Sequence, residues 1–254
     1  MRAMISPSIV RRRTVCGCPA SWATDRAQFV IPDMIRDDGF WAMEVKAVII
    51  LRRAESHTVM SWANGGGRTA EIVVYPPQAS VAARDFLWRI SMADVATDGP
   101  FSALPGFDRN LTLIAGKGMT LDAGEHGTMT VAQPFEQAVF PGDWKIDARL
   151  HDGPIEDLNV MTRRGAASAS VDIILVTGRH YLRQRDAAMV VVVLDGRVSA
   201  DARHEGGENF DLIRRDALLI APGVCGDLTL EGAPQGTVAI ITLRDLGAEK
   251  PAMS

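Results

Sequence analysis

"LTLIAGKGMTLDAGEHGTMTV" at 111–131, followed by "QAVFPGD" at 137–143, is echoed by "VVVVLDGRVSADARHEGGENFDLIRRDALLIAPGVCGD" at 190–227. In each copy a strand runs into a glycine turn, a second strand and a polar loop, and a later strand ends in Pro-Gly. Gly116 to Pro141 spans 25 positions and Gly196 to Pro222 spans 26. Glycines that turn tight corners, and prolines where no ladder donor is needed, are what a small double-sheet jelly roll requires. The repeat therefore predicts two related jelly-roll-like β-barrel lobes.

The same rhythm fills the chain outward from the repeat. Short runs rich in Val, Ile, Thr and Leu recur, among them "VKAVIIL", "AEIVVY", "FLWRISMADV", "KIDARL", "VDIILV" and "TVAIITL". Gly, Pro and Asp punctuate them, and no stretch holds a helical period over three turns. "PPQASVAARDF" (76–86) and "GPFSALPGFDR" (99–109) read as loops. The expectation is an all-β bicupin, with a first lobe over 43–165 and a second over 166–247. Residues 1–42 read as an N-terminal extension, either disordered or an upstream misassigned start, and 248–254 as a tail.

Of the 254 residues, 47% are hydrophobic and 23% charged, with a formal net charge of −4. That balance gives no general attraction to nucleic acid or anionic lipid. The longest apolar run, "AAMVVVVL" at 187–194, is far below the roughly 20 residues that cross a bilayer. After "RRR" at 11–13 the apolar stretch of a signal peptide never arrives. Three cysteines, Cys16, Cys18 and Cys225, make neither a disulfide framework nor a zinc spacing. The expected setting is the cytoplasm, with no nucleic-acid or membrane partner and a homodimer left open.

Metal chemistry of the cupin kind needs two histidines one residue apart, a glutamate and a further histidine. The five histidines, His57, His126, His151, His180 and His204, include no His-x-His pair. His126 and His204 fall at similar places in the two halves, each alone in a Gly/Glu-rich loop, so neither a metal nor another cofactor is expected. "SWANGGGRTAEI" (61–72) lacks the Lys-Ser or Lys-Thr of a phosphate loop and opens no helix. It reads as a glycine-rich loop leading into a strand, or as a plain turn.

Polar residues inside apolar strands carry the remaining signal. In "FLWRIS", alternation puts Phe86, Trp88 and Ile90 on one face and Leu87, Arg89 and Ser91 on the other. In "DLNVMTRRG", Asp157, Asn159, Met161 and Arg163 alternate with Leu158, Val160 and Thr162. A guanidinium inside a barrel needs an anion, because an unpaired buried charge is too costly. Two readings stay open. Arg89 and Arg163 hold a small carboxylate with Asn159, or each pairs with an internal acid such as Glu71, Asp108 or Asp157 and fixes the fold.

"WANGGGRTAEI", "FLWRISMADVATDGPFSALPGFDRNLTLIAGKGMTL", "VFPGD" and "LHDGPIEDLNVMTRRG" together resemble the HutD/Ves family, over about residues 45–243. The resemblance implies a bicupin associated with bacterial histidine utilisation. Such a protein binds a small pathway intermediate, such as urocanate or a formyl- or formimino-glutamate, and moderates the pathway. The alternative is an enzyme acting on a small carboxylate in the same cavity. The family pattern falls on Trp62, Asn64, Gly65, Gly66, Gly67, Thr69 and Glu71, on Trp88 to Ser91, and on Asp157, Asn159, Met161 and Arg163. The ligand-binding set it implies is Trp62, Asn64, Gly65, Thr69, Glu71, Arg89, Asp157, Asn159, Met161 and Arg163. The family's run of threonine, threonine and arginine before the glutamate is here Arg68, Thr69 and Ala70, which leaves open whether Arg68 takes the missing arginine's place.

Overall fold

The computed structural model describes residues 49–184, 186–203, 208–222 and 226–246. The expected extension over 1–42, the tail over 248–254 and His204 lie outside them. The described residues form seventeen strands and two short 3-10 turns. Every strand pairing among the described residues is antiparallel, so no pair requires a crossover helix.

A six-stranded sheet is the central layer. It comprises β2 (Thr58–Ser61), β3 (Gly67–Tyr75), β4 (Trp88–Val95), β6 (Phe107–Ala115), β9 (Gln137–Pro141) and β11 (Ile155–Arg163), in the order β2-β3-β4-β11-β6-β9. Facing it, β5 (Gly99–Phe101), β7 (Met119–Asp122), β8 (Thr128–Val131) and β10 (Ile146–Leu150) make a four-stranded sheet. The two stack as one jelly-roll-like lobe around Val95, Leu111, Leu113, Met119, Leu121, Val131, Phe140 and Ile146.

The second lobe is a seven-stranded sheet. Its strands are β1 (Ile49–Arg52), β12 (Ala167–Val176), β13 (Arg179–Gln184), β14 (Ala188–Arg203), β15 (Glu208–Ile213), β16 (Ala217–Ile220) and β17 (Gly226–Asp245). "AMVVVVLDG" and "RVSADA", which read as separate strands, are one long β14, and "LTLEG" and "TVAIITL" are one β17. Register shifts at Val193/Asp195 and Gly196/Val198 bend the pair, so a single sheet supplies two layers around its own core. β1 precedes the first lobe in sequence yet pairs with β16, so position in the chain does not divide the lobes cleanly.

Gly116 and Gly196, the paired turns of the repeat, both have positive φ, at 102° and 71°. An added Cβ would stand 2.6 Å from the Pro154 carbonyl oxygen at Gly116, and 2.5 Å from that of Gln235 at Gly196. Both positions demand glycine for conformation and for close backbone approach. The two halves use the same device at the same step.

The other face of the six-stranded sheet packs on the second lobe. Trp88, Ile90, Met92, Leu158 and Val160 meet Val190, Val192, Leu194, Leu219 and Ile241. Meanwhile Val191 and Val193 turn into the second lobe's own core. This explains the unbroken "VVVVL": a strand buried on both faces has no polar side to alternate with. Each such side chain contributes roughly 1.5–3 kcal/mol by leaving water. The layer between the lobes therefore fixes the sheet, and with it the direction of every polar side chain on the sheet's inner face.

Candidate functional site

With Trp88, Ile90 and Met92 committed to the second lobe, alternation turns Arg89, Ser91 and Ala93 into the first lobe. On β11, Leu158 and Val160 go one way and Asp157, Asn159 and Met161 the other. Register sets these residues in rungs. Asp157 lies opposite Ala93 and Leu113, Asn159 opposite Ser91 and Leu111, and Met161 opposite Arg89 and Arg109. On β3, Glu71 joins the Ser91 rung and Thr69 the Ala93 rung. The predicted alternation fails only ahead of β4. Phe86 packs with Leu104, Phe107 and Met161 while Leu87 packs toward the second lobe, because the strand begins at Trp88.

Arg89 has its anion within the fold. Its Nε donates to Glu71 Oε2 at 2.6 Å and its Nη1 to Ser91 Oγ at 3.1 Å. This arginine is paired with an internal acid. Arg109, which the sequence reading passed over, is the exception. It is 6% exposed; its Nε reaches Asn159 Oδ1 only at 3.4 Å and its Nη1 the Ser102 carbonyl at 3.3 Å. Its Cζ lies 5.2 Å from the Phe101 ring centroid and 5.3 Å from that of Phe140. Among the described residues no carboxylate comes within ion-pair distance of it. Burial pulls its pKa down to about 10, against the opposing field of Asp157.

Asp157 is the complementary anomaly. It is 1% exposed, and neither carboxyl oxygen has a hydrogen-bond partner among the described residues. Burial pushes its pKa up to about 7; Arg109 and the nearby Asn159 amide pull it back, and Glu156 and Asp94 add to the rise. Burial outweighs the guanidinium because the two groups stop short of contact. Among the described residues, a guanidinium with no ion-pair partner and a carboxyl approached only by the Asn159 amide thus share one interior face. The first can seat a carboxylate through its planar fork. The second can accept an N–H or exchange a proton near neutral pH.

The other expected residues divide. Thr69 Oγ1 accepts from Trp62 Nε1 at 2.9 Å, which seats the half-buried indole against the first-lobe core. Gly67 permits this, since a Cβ there would stand 3.1 Å from the ring and 2.5 Å from the Asp94 carbonyl oxygen. Asn64 and Gly65 are exposed, outside the cluster. Asn64 Oδ1 accepts from the Gly66 N–H at 3.0 Å, a local turn, and Gly65 supplies a φ of 71°. Arg163 also departs from the expected convergence. At the end of β11 its Nε donates to the Phe86 carbonyl at 3.0 Å and its Nη2 to that of Arg84, while its Cζ lies over the Phe107 ring at 4.9 Å. Its neighbour Arg164, not Arg163, takes Asp108.

Arg68 lies on the opposite face from Glu71. Its Nε donates to Asp94 Oδ2 at 2.7 Å, and Asp94 Oδ1 accepts from Arg215 of the second lobe at 2.6 Å. Arg215 also approaches Glu156, which pairs with Arg214. This network ties the lobes together at their rim, and its acids Asp94 and Glu156 act on the interior cluster only through their charge on Asp157. His126 stacks on Trp144 with centroids 4.5 Å apart. Among the described residues no three His, Cys, Asp or Glu side chains are placed to hold a metal.

The sequence did carry a signal for Arg109. In "FDRNLTLI", Phe107, Arg109, Leu111 and Leu113 alternate onto the core face, so the arginine stands in line with leucines that must be buried.

Stacked antiparallel sheets in two jelly-roll-like lobes, one enclosing a polar cluster, define a cupin-type β-protein. The HutD family model matches residues 54–240. Protein Ves of Citrobacter koseri is 42% identical over 172 residues, covering 63% of this chain and 85% of that one. Among solved structures, a conserved protein of unknown function from Pseudomonas aeruginosa superposes with a TM-score of 0.70 at 24% identity, covering 78% of this chain and all (100%) of the other. HutD from Pseudomonas fluorescens superposes with a TM-score of 0.64 at 27% identity, covering 78% and 99%. The chain belongs to the HutD family, whose name ties it to histidine utilisation.

Proposed function

We propose that the first lobe binds a small carboxylate, such as urocanate or a formyl- or formimino-glutamate, and that this binding moderates histidine utilisation in the cytoplasm. The observation that carries the reading is Arg109, a buried guanidinium held by two long neutral hydrogen bonds and two aromatic rings, with no ion-pair partner among the described residues. A buried cation left in that state is costly unless a ligand supplies the charge. Arg89, already neutralised by Glu71, lines the same face and holds the rung geometry. The relative from Pseudomonas fluorescens was solved in a formate condition, and formate is the smallest carboxylate. No helix among the described residues is long and apolar enough to cross a membrane.

Titration calorimetry of the full chain against urocanate and N-formylglutamate tests the reading. Arg109→Ala should abolish binding, and undiminished binding would sink the assigned seat. A second reading, an enzyme acting on the same carboxylate, draws on Asp157. A buried carboxyl with a pKa near neutrality can serve as general acid or base. Turnover of those compounds, lost in Asp157→Asn with binding retained, would favour it.

A further inference from the structure

The network at the rim between the lobes is not electrically balanced. Among the described residues, the guanidiniums of Arg68, Arg214 and Arg215 share only the carboxylates of Asp94 and Glu156. One positive charge is left over, and it resides at Arg68. Arg214 and Arg215 both close on Glu156, whereas Arg68 commits only its Nε, at 2.7 Å from Asp94 Oδ2. Its side chain is 61% exposed, and its terminal nitrogens make no hydrogen bond among the described residues. Burial works against Asp94, but its bonds to Arg68 and Arg215 hold its pKa below the usual range and keep it ionised. The acid therefore fixes Arg68 in place and leaves the Nη1 and Nη2 end of the fork open for two oxygens of one anion.

Arg68 lines a cavity of about 450 Å³ together with Ser61, Gly65, Gly67, Asp94 and Ala96. It lies on the outer face of the sheet, away from Arg109, and its volume suits a small ligand. Register puts Ser61 opposite Arg68 and Arg68 opposite Asp94, so hydroxyl, guanidinium and carboxylate form one row across β2, β3 and β4. The Ser61 hydroxyl makes no hydrogen bond among the described residues. Nothing stands within 4 Å of a Cβ built at Gly65, so the loop leaves the row open.

We propose that this rim cavity is a second ligand site, for a small phosphate-type oxyanion, with Arg68 holding two of its oxygens and Ser61 donating to a third. The site is separate from the carboxylate seat at Arg109 and stands whether or not that seat is occupied. A carboxylate has two oxygens, and the arginine fork alone satisfies them. A phosphate offers a further oxygen to the hydroxyl and brings more charge to the unmatched cation. Asp94, on the Nε side, repels an anion from every approach except the Nη end. Because Asp94 also holds Arg215 of the second lobe, a ligand on Arg68 sits where the two lobes are tied together.

The experiment titrates inorganic phosphate, and separately acetate, into the nitrogen-15-labelled full chain and follows the backbone amide resonances. Each anion replaces chloride at constant ionic strength, which removes general screening from the comparison. With phosphate, the amides of Gly65, Gly67 and Ala96 should shift saturably in the wild type and equally in Arg109→Met. The apparent Kd should rise at least about fivefold in Arg68→Gln, the worth of a charge-assisted hydrogen bond at a solvated site. Acetate should bind there more weakly than phosphate, and Ser61→Ala, at an exposed position of β2, should weaken phosphate while leaving acetate unchanged. The inference is overturned by no saturable shift at these amides, by an affinity unchanged in Arg68→Gln, or by acetate bound as tightly as phosphate. Shifts that vanish in Arg109→Met place the phosphate in the interior seat and overturn it as well.

Discussion

Arg89 and Glu71 form an ion pair across β4 and β3, Nε to Oε2 at 2.6 Å, with the arginine side chain 5% exposed and the glutamate 21%. The pair faces the first lobe and is flanked by Ser91, whose Oγ accepts from Arg89 Nη1. Removing one member of a buried pair strands the other. Glu71→Ala should therefore destabilise the protein by about 2–4 kcal/mol in urea unfolding, somewhat below the fully buried case because Glu71 keeps some solvent. The double variant Glu71→Leu/Arg89→Met should recover most of that loss. If the two single effects simply add, the pair is not coupled and Arg89 draws its support elsewhere.

How much of this was legible beforehand can be followed through individual residues. Period-two alternation placed Arg89, Ser91, Asp157, Asn159 and Met161 on one face, because β4 and β11 are each packed on both sides and cannot slip register. The same rule failed at Phe86, ahead of β4, and it does not say that Arg163, at the end of β11, reaches backbone carbonyls beyond the cluster. Arg109 closes the run 99–109 that reads as a loop, whereas β6 already begins at Phe107. What alternation cannot supply is partnership: nothing in the residue string says that Glu71 neutralises Arg89 while Arg109 is left without an acid. That difference arises from which strands are neighbours, β3 beside β4 but β6 beside β11.

Gly65 and Gly67, two positions apart in one loop, should respond differently to alanine. Gly65 has a φ of 71° but open space around it, so Gly65→Ala carries backbone strain alone, about 1–2 kcal/mol. At Gly67 the new Cβ would collide with the Asp94 carbonyl and press on the Trp62 ring. Gly67→Ala should cost about 1–3 kcal/mol and also displace the indole from Thr69. Tryptophan emission of the folded state should move to longer wavelength in Gly67→Ala and stay unchanged in Gly65→Ala.

Arg163 and Arg109 separate structure from binding. Arg163 holds the Arg84 and Phe86 carbonyls and lies over Phe107, so Arg163→Ala should lower stability by about 1–3 kcal/mol. Its removal should leave carboxylate affinity within about twofold. Arg109→Met keeps the packing between Phe101 and Phe140 while deleting a costly buried charge, so it should fold at least as stably as the wild type yet lose binding. Loss of binding in Arg163→Ala at full stability would return that arginine to the site.

Asp157 gives the protein a pH dependence of unusual sign. Most carboxylates have folded-state pKa values at or below their unfolded ones and add stability as pH rises; Asp157, held up to about 7 by burial, does the reverse. Below about pH 4 it is protonated in both the folded and the unfolded chain and contributes no penalty. Between about 4 and 7 the unfolded chain releases the proton and the folded one keeps it, so stability falls with rising pH. Above about 7 the penalty is complete, up to about 4 kcal/mol for a shift of roughly three units. Asp157→Leu should accordingly be more stable than the wild type at pH 8 and nearly equal to it at pH 4. Urea unfolding of the two proteins at both values isolates this residue, because every other titrating group is common to both. A stability difference that does not grow with pH would mean that Asp157 has a partner in solution.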